Sequence, residues 1–413
     1  MGLAGAPADE PTHTHSPLKT RTDPMQITMK YGCNPNQTHA KLISPLDDGP
    51  LTVLNGAPGY INVLDALRGW QLVRELKASA GQPAAASFKH VSPAGAAVAG
   101  PLSDEFRKAH FYDVADLSPV ATAYAKARSS DRVASFGDFI SVSDTVDESL
   151  ARLIKPEVSD GIIAPGYEPG AIEILKDKKG GKYVILQMDP GYQPPAIESR
   201  VEFGLTLEQS YNDSVIDADL FRNVVTKNKT IPDDVMQTLI VATVTIKHTQ
   251  SNSIGVGYRG QAVGVGAGQQ SRIACTRLAC DKADRWFLKM HPKALALEYI
   301  DGLPRSEKVN ALDQFVRYHE LDEAERAVLG KALKRLPEPI SEQERHDWAK
   351  QFDGVVLSSD AFIPFRDNLD RAARSGVKYL AQAGGSARDQ DVIDAADEHG
   401  MAMALTGLRL FLH

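Results

Sequence analysis

The chain has 413 residues, 43% hydrophobic and 24% charged, with a formal net charge of −7. That length exceeds one ordinary core and predicts two or three domains, while the negative charge argues against broad binding to nucleic acid or anionic membranes. No stretch approaches the roughly 18 apolar residues of a membrane span, and Cys33, Cys275 and Cys280 offer neither a CxxC pair nor an even set, which fits a reducing cytosol without zinc or disulfides.

Residues 1–24, rich in Ala, Pro and Thr, read as a disordered tail, with His13 and His15 solvated within it. Leu51–Leu54 predicts a short strand. After the loop from Asn55 to Gly59, the spacing of Val63, Leu67, Trp70, Val73 and Leu76 marks one face of a helix. Gly81 and Pro83 end it. Ala84–Phe88 is the next strand, which places Lys89 and His90 just past its carboxyl end, where open α/β sheets bind ligands. Neighbours in a regular strand face apart. Both serve one pocket only if the strand stops, and Ser92-Pro93-Ala94-Gly95 reads as that stop.

A second unit begins after Gln193-Pro194-Pro195. Leu239–Ile246 is a strong β-branched run, the mark of a strand, and Ala262–Val265 a weaker one. Residues 271–290 predict a helix, and 305–351 a charged helical insertion. From Asn368 the order is helix, strand (Val377–Leu380), a turn at Gly384-Gly385-Ser386, helix and terminal strand. Two α/β units with a helical insert follow from this order. Gly255, Gly257 and Gly260 fit the dinucleotide pattern GxGxxG, but the next segment reads as a strand rather than a helix, so they predict a hairpin. His319, His346 and His399 lie on charged helices, where a solvated face is the default.

Several long motifs, in order, carry a family resemblance. They include Tyr31-Gly32-Cys33-Asn34-Pro35, the segment from Val53 to Gly59, Ser87-Phe88-Lys89-His90-Val91-Ser92-Pro93-Ala94-Gly95, and Asp131–Asp138. Further matches are Val158–Tyr167, Thr249-Gln250-Ser251-Asn252-Ser253, Gly266–Arg272, Ser358–Phe362 and Pro364–Asn368. From about Ile27 to His413 the chain resembles the AICAR transformylases, which form the C-terminal half of the bifunctional purine enzyme that also carries IMP cyclohydrolase. The resemblance implies a tandem pair of cytidine-deaminase-like α/β/α domains without zinc. Residues 25–195 and 196–413 would be the two domains, with the helical insertion at about 292–352. It also implies formyl transfer from 10-formyltetrahydrofolate to the 5-amino group of AICAR, in the cytoplasm.

The roles implied are specific. His90 would take the amine proton, Lys89 would stabilise the oxyanion, and Asn252 would orient the formyl group. Lys30, Tyr31, Asn62, Gly137, Asp160, Arg272, Phe362 and Arg409 would bind the nucleotide. Lys30 stands where relatives carry Arg, keeping the charge without the bidentate fork. Val133, Phe136, Pro364, Phe365 and Asn368 would line the folate site. Asp160 and Asn368 are the polar partners for the pterin's amino-pyrimidine edge. Ser251, Ser253 and Asp360 would give oxygens to a potassium ion, as in some relatives. Family members are homodimers with shared active sites, so Lys89-His90 and Asn252 would come from different chains. Only thirty residues precede Tyr31, which leads to the expectation of a stand-alone transformylase served by a separate IMP cyclohydrolase. Two alternatives stay open: a catalytically silent nucleotide- or folate-binding regulator, and a formyltransferase for another amine or donor.

Overall fold

A computed structural model describes residues 25–413 apart from 45, 47, 48 and 115, so the tail predicted at 1–24 lies outside the described residues. A small antiparallel pair, β1 (Gln26–Met29) and β2 (Ala40–Ile43), precedes β3 (Leu51–Asn55). The predicted apolar face becomes α1 (Tyr60–Ala80), ending on Gly81 at φ 66°, a left-handed angle that glycine reaches without a Cβ clash. Then come β4 (Ala84–Lys89), β5 (Ser92–Val98), α2 (Asp104–Ala109), α3 (Pro119–Ser129) and β6 (Asp138–Val142). They are followed by α4 (Glu148–Ile154), β7 (Ser159–Ala164), α5 (Pro169–Lys176) and β8 (Val184–Met188). An exposed hairpin, β9 (Ile197–Glu202) and β10 (Leu205–Ser210), separates these from the second series.

That series opens with α6 (Asp233–Lys247), β11 (Ile254–Tyr258), β12 (Gln261–Gly266) and α7 (Arg272–Leu288). The insertion follows as α8 (Pro292–Leu295), α9 (Arg305–Val316), α10 (Glu323–Ala332) and α11 (Glu342–Ala349), with a small core of its own around Leu312, Phe315 and Leu329. The chain closes with β13 (Val355–Ser359), α12 (Asp367–Arg374), β14 (Val377–Gln382), α13 (Asp389–Glu398) and β15 (Ala402–Leu405).

Eleven of these strands form one sheet in the order β15-β14-β13-β11-β12-β5-β4-β6-β7-β8-β3. The order conceals a repeat. Reading outward from the middle, β5-β4-β6-β7-β8 and β12-β11-β13-β14-β15 have the same arrangement. In each, an antiparallel hairpin is followed by an antiparallel neighbour and then two parallel ones. The two sets meet at the pair Gln261↔Ala97. Around this junction Lys126 Nζ donates to Val98 O (3.1 Å) and Arg259 O (2.8 Å), and Gln261 Nε2 donates to Lys126 O (2.8 Å).

Alternation along the strands divides the core between two faces. Ala84, Ala86 and Phe88 of β4 join α1 and α6 in one apolar cluster, while Ala85 joins α3, α4, α7, α12 and α13 in the other. The result is a mixed α/β protein with helices on both faces of the sheet.

Two sequence readings are corrected. Leu239–Ile246 is the body of helix α6 rather than a strand. Every residue from Thr238 to Lys247 is buried, so packing overrides the β-branched preference. The threonines satisfy themselves within the helix, Thr243 Oγ1 donating to Leu239 O (2.8 Å) and Thr245 Oγ1 to Val241 O (2.6 Å). The second correction concerns Ser92-Pro93-Ala94-Gly95, which opens strand β5. The chain stops for only two residues, His90 and Val91, between paired Lys89 and Ser92. Pro93 is tolerated there because β12 pairs with β5 near Ala97, not beside the proline. The GxGxxG segment is the β11–β12 hairpin, as its following strand indicated.

Candidate active site

The turn between β4 and β5 builds the site. His90 (φ 55°) and Val91 (φ 59°) both lie in the left-handed region, as a two-residue hairpin requires. Glycine or asparagine normally occupies such positions, and a β-branched residue is strained there. Two restraints hold the turn. Asp65, on the sixth position of α1 and 5% exposed, accepts Val91 N–H at 2.6 Å. Below, Ser87 Oγ donates to Asp138 Oδ2 (2.6 Å), and Arg128 Nη1 donates to Asp138 Oδ1 (2.6 Å) in a buried network that continues to Glu157 and Arg132. Strand β4 is therefore anchored where it delivers Lys89.

Lys89 and His90 open on one cavity of about 730 Å³. The stop after β4 is what lets adjacent residues share it. Lys89 Nζ donates to Phe136 O. Lys30, Tyr31, Asn62, Gly137 and Asp160, all named from the sequence, line the same cavity. Asn62 Oδ1 accepts Gly59 N–H (3.0 Å) at the start of α1, whose first turn holds no acidic residue. A long helix of this kind presents unpaired N–H groups and a positive dipole end that suit an anion. Asp160 pairs with Lys179 (2.6 Å) and is half exposed.

The cavity also contains Asp65, which sequence reasoning missed. Burial pushes its carboxyl up to about 6, against the pull of the Val91 N–H and of His90. A signal existed: Asp65 is the one acidic residue among the buried positions of α1.

The second set of predicted residues forms a separate, buried knot. Asp360 accepts Ser251 Oγ–H (2.7 Å) and Ser253 N–H (2.9 Å), and pairs with Arg272. Arg272 Nη2 donates to Asn252 Oδ1 (2.8 Å), and Asn252 Nδ2 donates to Gln269 O (2.8 Å). The C-terminal segment ties in through Leu412 N–H to Ser251 Oγ (3.1 Å). None of Asn252, Arg272, Asp360 or Arg409 is among the residues lining the Lys89 cavity.

Arg272 is buried and engaged with Asp360, Ser253 O and Asn252, so its guanidinium buttresses Asn252. Asn368 is 2% exposed, its Oδ1 accepting from Thr276 Oγ1 (2.7 Å) and its Nδ2 donating to Phe365 O (3.1 Å). Ser251, Ser253 and Asp360, named for potassium, lie together in this knot, where Arg272 already balances the Asp360 charge. Val133 lines a different, charged cavity with Lys282, Lys289 and Asp313. Phe362 and Phe365 stand on the surface at 45% and 51% exposure, beside half-buried Pro364. Arg409 is exposed, its guanidinium 5.0 Å from the Phe411 ring centroid.

Among the described residues, no three His, Cys, Asp or Glu side chains cluster as metal ligands, and no helix is long and apolar enough to cross a membrane. The sequence model of the AICARFT/IMPCHase bienzyme family matches residues 8–282. The bifunctional purine biosynthesis proteins PurH of Brucella ovis and Brucella canis are each 30% identical over 409 residues, covering 98% of this chain and 61% of theirs. The chain thus spans about three fifths of the length of these curated relatives.

Proposed function

Since the chain belongs to the AICARFT/IMPCHase bienzyme family, we propose that it transfers the formyl group of 10-formyltetrahydrofolate to the 5-amino group of AICAR, giving formyl-AICAR and tetrahydrofolate. The observation that carries this reading is the convergence of Lys89 and His90 on one cavity with Lys30 and the start of α1. An anionic ribotide suits that cavity, with its phosphate near Lys30 and its amine near His90.

The chemistry needs few groups. As the amine nitrogen attacks the formyl carbon, His90 takes its proton. The oxyanion that develops is stabilised by the Lys89 ammonium, which Phe136 O holds in place. Collapse breaks the bond from the formyl carbon to N10. Lys89 protonates that nitrogen, and the proton held by His90 restores Lys89. Atoms and charge then balance over one turnover.

We read the formyl-orienting Asn252 as arriving from a second copy of the chain. In support, the Asn252 knot is absent from the lining of the Lys89 cavity, and surface apolar groups await cover. These include Phe362, Phe365 and the β9–β10 arm with Val201 and wholly exposed Phe203. The repeated strand order supports the finer reading of two cytidine-deaminase-like units, residues 25–195 and 196–413, with the insertion at about 292–352.

The test is a spectrophotometric assay with AICAR and 10-formyltetrahydrofolate. Wild type is expected to turn over. Lys89→Ala and Asn252→Ala are each expected to lose at least about 100-fold. Mixing the two inactive variants restores about a quarter of wild-type activity if the centre is shared between copies, as one site in four is then intact by random pairing. No formyl transfer by wild type overturns the activity, and no recovery on mixing overturns the shared centre. The same assay, started from formyl-AICAR, reads whether this chain also closes the ring to IMP.

A further inference from the structure

The repeat within the sheet supplies an internal control for Asp65. Both β4–β5 and β11–β12 turn on two residues with positive φ, His90-Val91 in the first and Arg259-Gly260 in the second. In both, the second residue donates its N–H to a side chain of the preceding helix: Val91 to Asp65 (2.6 Å) and Gly260 to Thr238 (2.9 Å). Asp65 and Thr238 are each the sixth residue of their helix, α1 and α6. The fold therefore needs an acceptor at this place, and a neutral hydroxyl satisfies the need.

A carboxylate there is more than the fold requires. We propose that the negative charge of Asp65, as distinct from its hydrogen bond to Val91, is a positioning and electrostatic support for His90 in formyl transfer. The inference rests on the transformylase reading. Asp65 lines the cavity of Lys89 and His90, whereas its counterpart Thr238 serves a turn at the other end of the sheet. When His90 takes the proton of the acceptor amine, the imidazolium forms beside an anion that attracts it. The other charges that face Asp65 are Asp138 and Asp160, both acidic, with Lys89 and Lys30 along the same cavity. The raised carboxyl of Asp65 agrees with a charge kept in a costly place.

The decisive variants remove the charge and keep the acceptor. Asp65→Thr installs the second repeat's own solution, and Asp65→Asn is nearer in shape. Three quantities are read on each: kcat for formyl transfer, KM for AICAR, and the hydrogen-exchange protection of the Val91 amide. The expected result is kcat lowered roughly tenfold or more, KM within about threefold, and Val91 as protected as in wild type. Wild-type kcat in both variants overturns the proposal. Loss of Val91 protection together with kcat also overturns it, because the role is then that of a turn clamp alone. Should wild type itself fail to transfer formyl groups, the transformylase reading falls. An intact Val91 amide in that experiment still establishes that the acceptor works without its charge.

Discussion

The two hairpins at the heart of the sheet have the same two-residue loop, the same left-handed turn and the same helix position holding them, yet differ in residue types. The turn at Arg259-Gly260 uses what hairpins ordinarily use: glycine at φ 70° and a threonine hydroxyl. The turn at His90-Val91 puts a histidine and a β-branched residue in the same conformation and restrains them with a buried carboxylate. His90 and Arg259 share the first position, so the costs that the second hairpin avoids are the β-branched Val91 and the buried carboxylate. Antiparallel pairing through β5 and β12 places the two turns at opposite ends of the sheet, and only the first opens on the cavity. The comparison teaches that a fold can be satisfied twice while one copy is strained for chemistry.

The largest expected break between the two is catalytic. His90→Ala is expected to lower kcat by about a thousandfold, in the range of a lost general base. Arg259→Ala, the same position of the other turn, leaves kcat within about twofold, and steady-state kinetics on the pair checks this. Next comes pH. The folded chain holds the Asp65 proton up to about 6, against an ordinary value of 3.8 for the free group. Between those values the folded state binds more protons than the unfolded state, so this group's contribution to stability falls as pH rises from 4 to 6 and is level above. Asp65→Thr removes that loss. Measured by urea unfolding, its stability relative to wild type increases by about 2 kcal/mol between pH 4 and pH 7, at about 1.4 kcal/mol per pKa unit with the remainder falling below pH 4.

Smaller effects come from exchanging the turn residues. Gly260→Val forces a side chain into a left-handed position where a Cβ already meets Val98 Cγ2 at 3.0 Å. It is expected to destabilise by about 2 kcal/mol. Val91→Gly relieves the first turn and is expected to stabilise by ~1 kcal/mol. No shift in the thermal melt of either variant would mean that the two turns are not strained differently.

Much of this was legible beforehand, for physical reasons. Helix α1 was read from Val63, Leu67, Trp70, Val73 and Leu76 because a helix covered on one side keeps its period. The Gly255–Gly260 hairpin was read because a strand follows it. Lys89 and His90 were placed at a strand end, and they share a cavity with Lys30, Tyr31, Asn62, Gly137 and Asp160. Helix α6 was misread because burial on all sides erases period and leaves only β-branched composition. Which partners engage the Arg272 and Asn368 side chains is set by residues distant in sequence, here Asp360 and Thr276. The repeat itself lies in strand order, which leaves no mark on local patterning.

The seam between the two strand sets, where Gln261 pairs with Ala97 and Val98 N–H donates to Gly260 O (3.0 Å), bears on whether either half can live alone. An open β-strand edge invites pairing with any other open edge, and proteins that display one are prone to clump. Here β5 and β12 each hide the other's vulnerable side, and Lys126 seals the seam by bonding carbonyls from both. Cutting the chain near residue 196 would bare two sticky rims at once and strand a buried ammonium. The two sets share one strand order, and each shields the other's edge against aggregation.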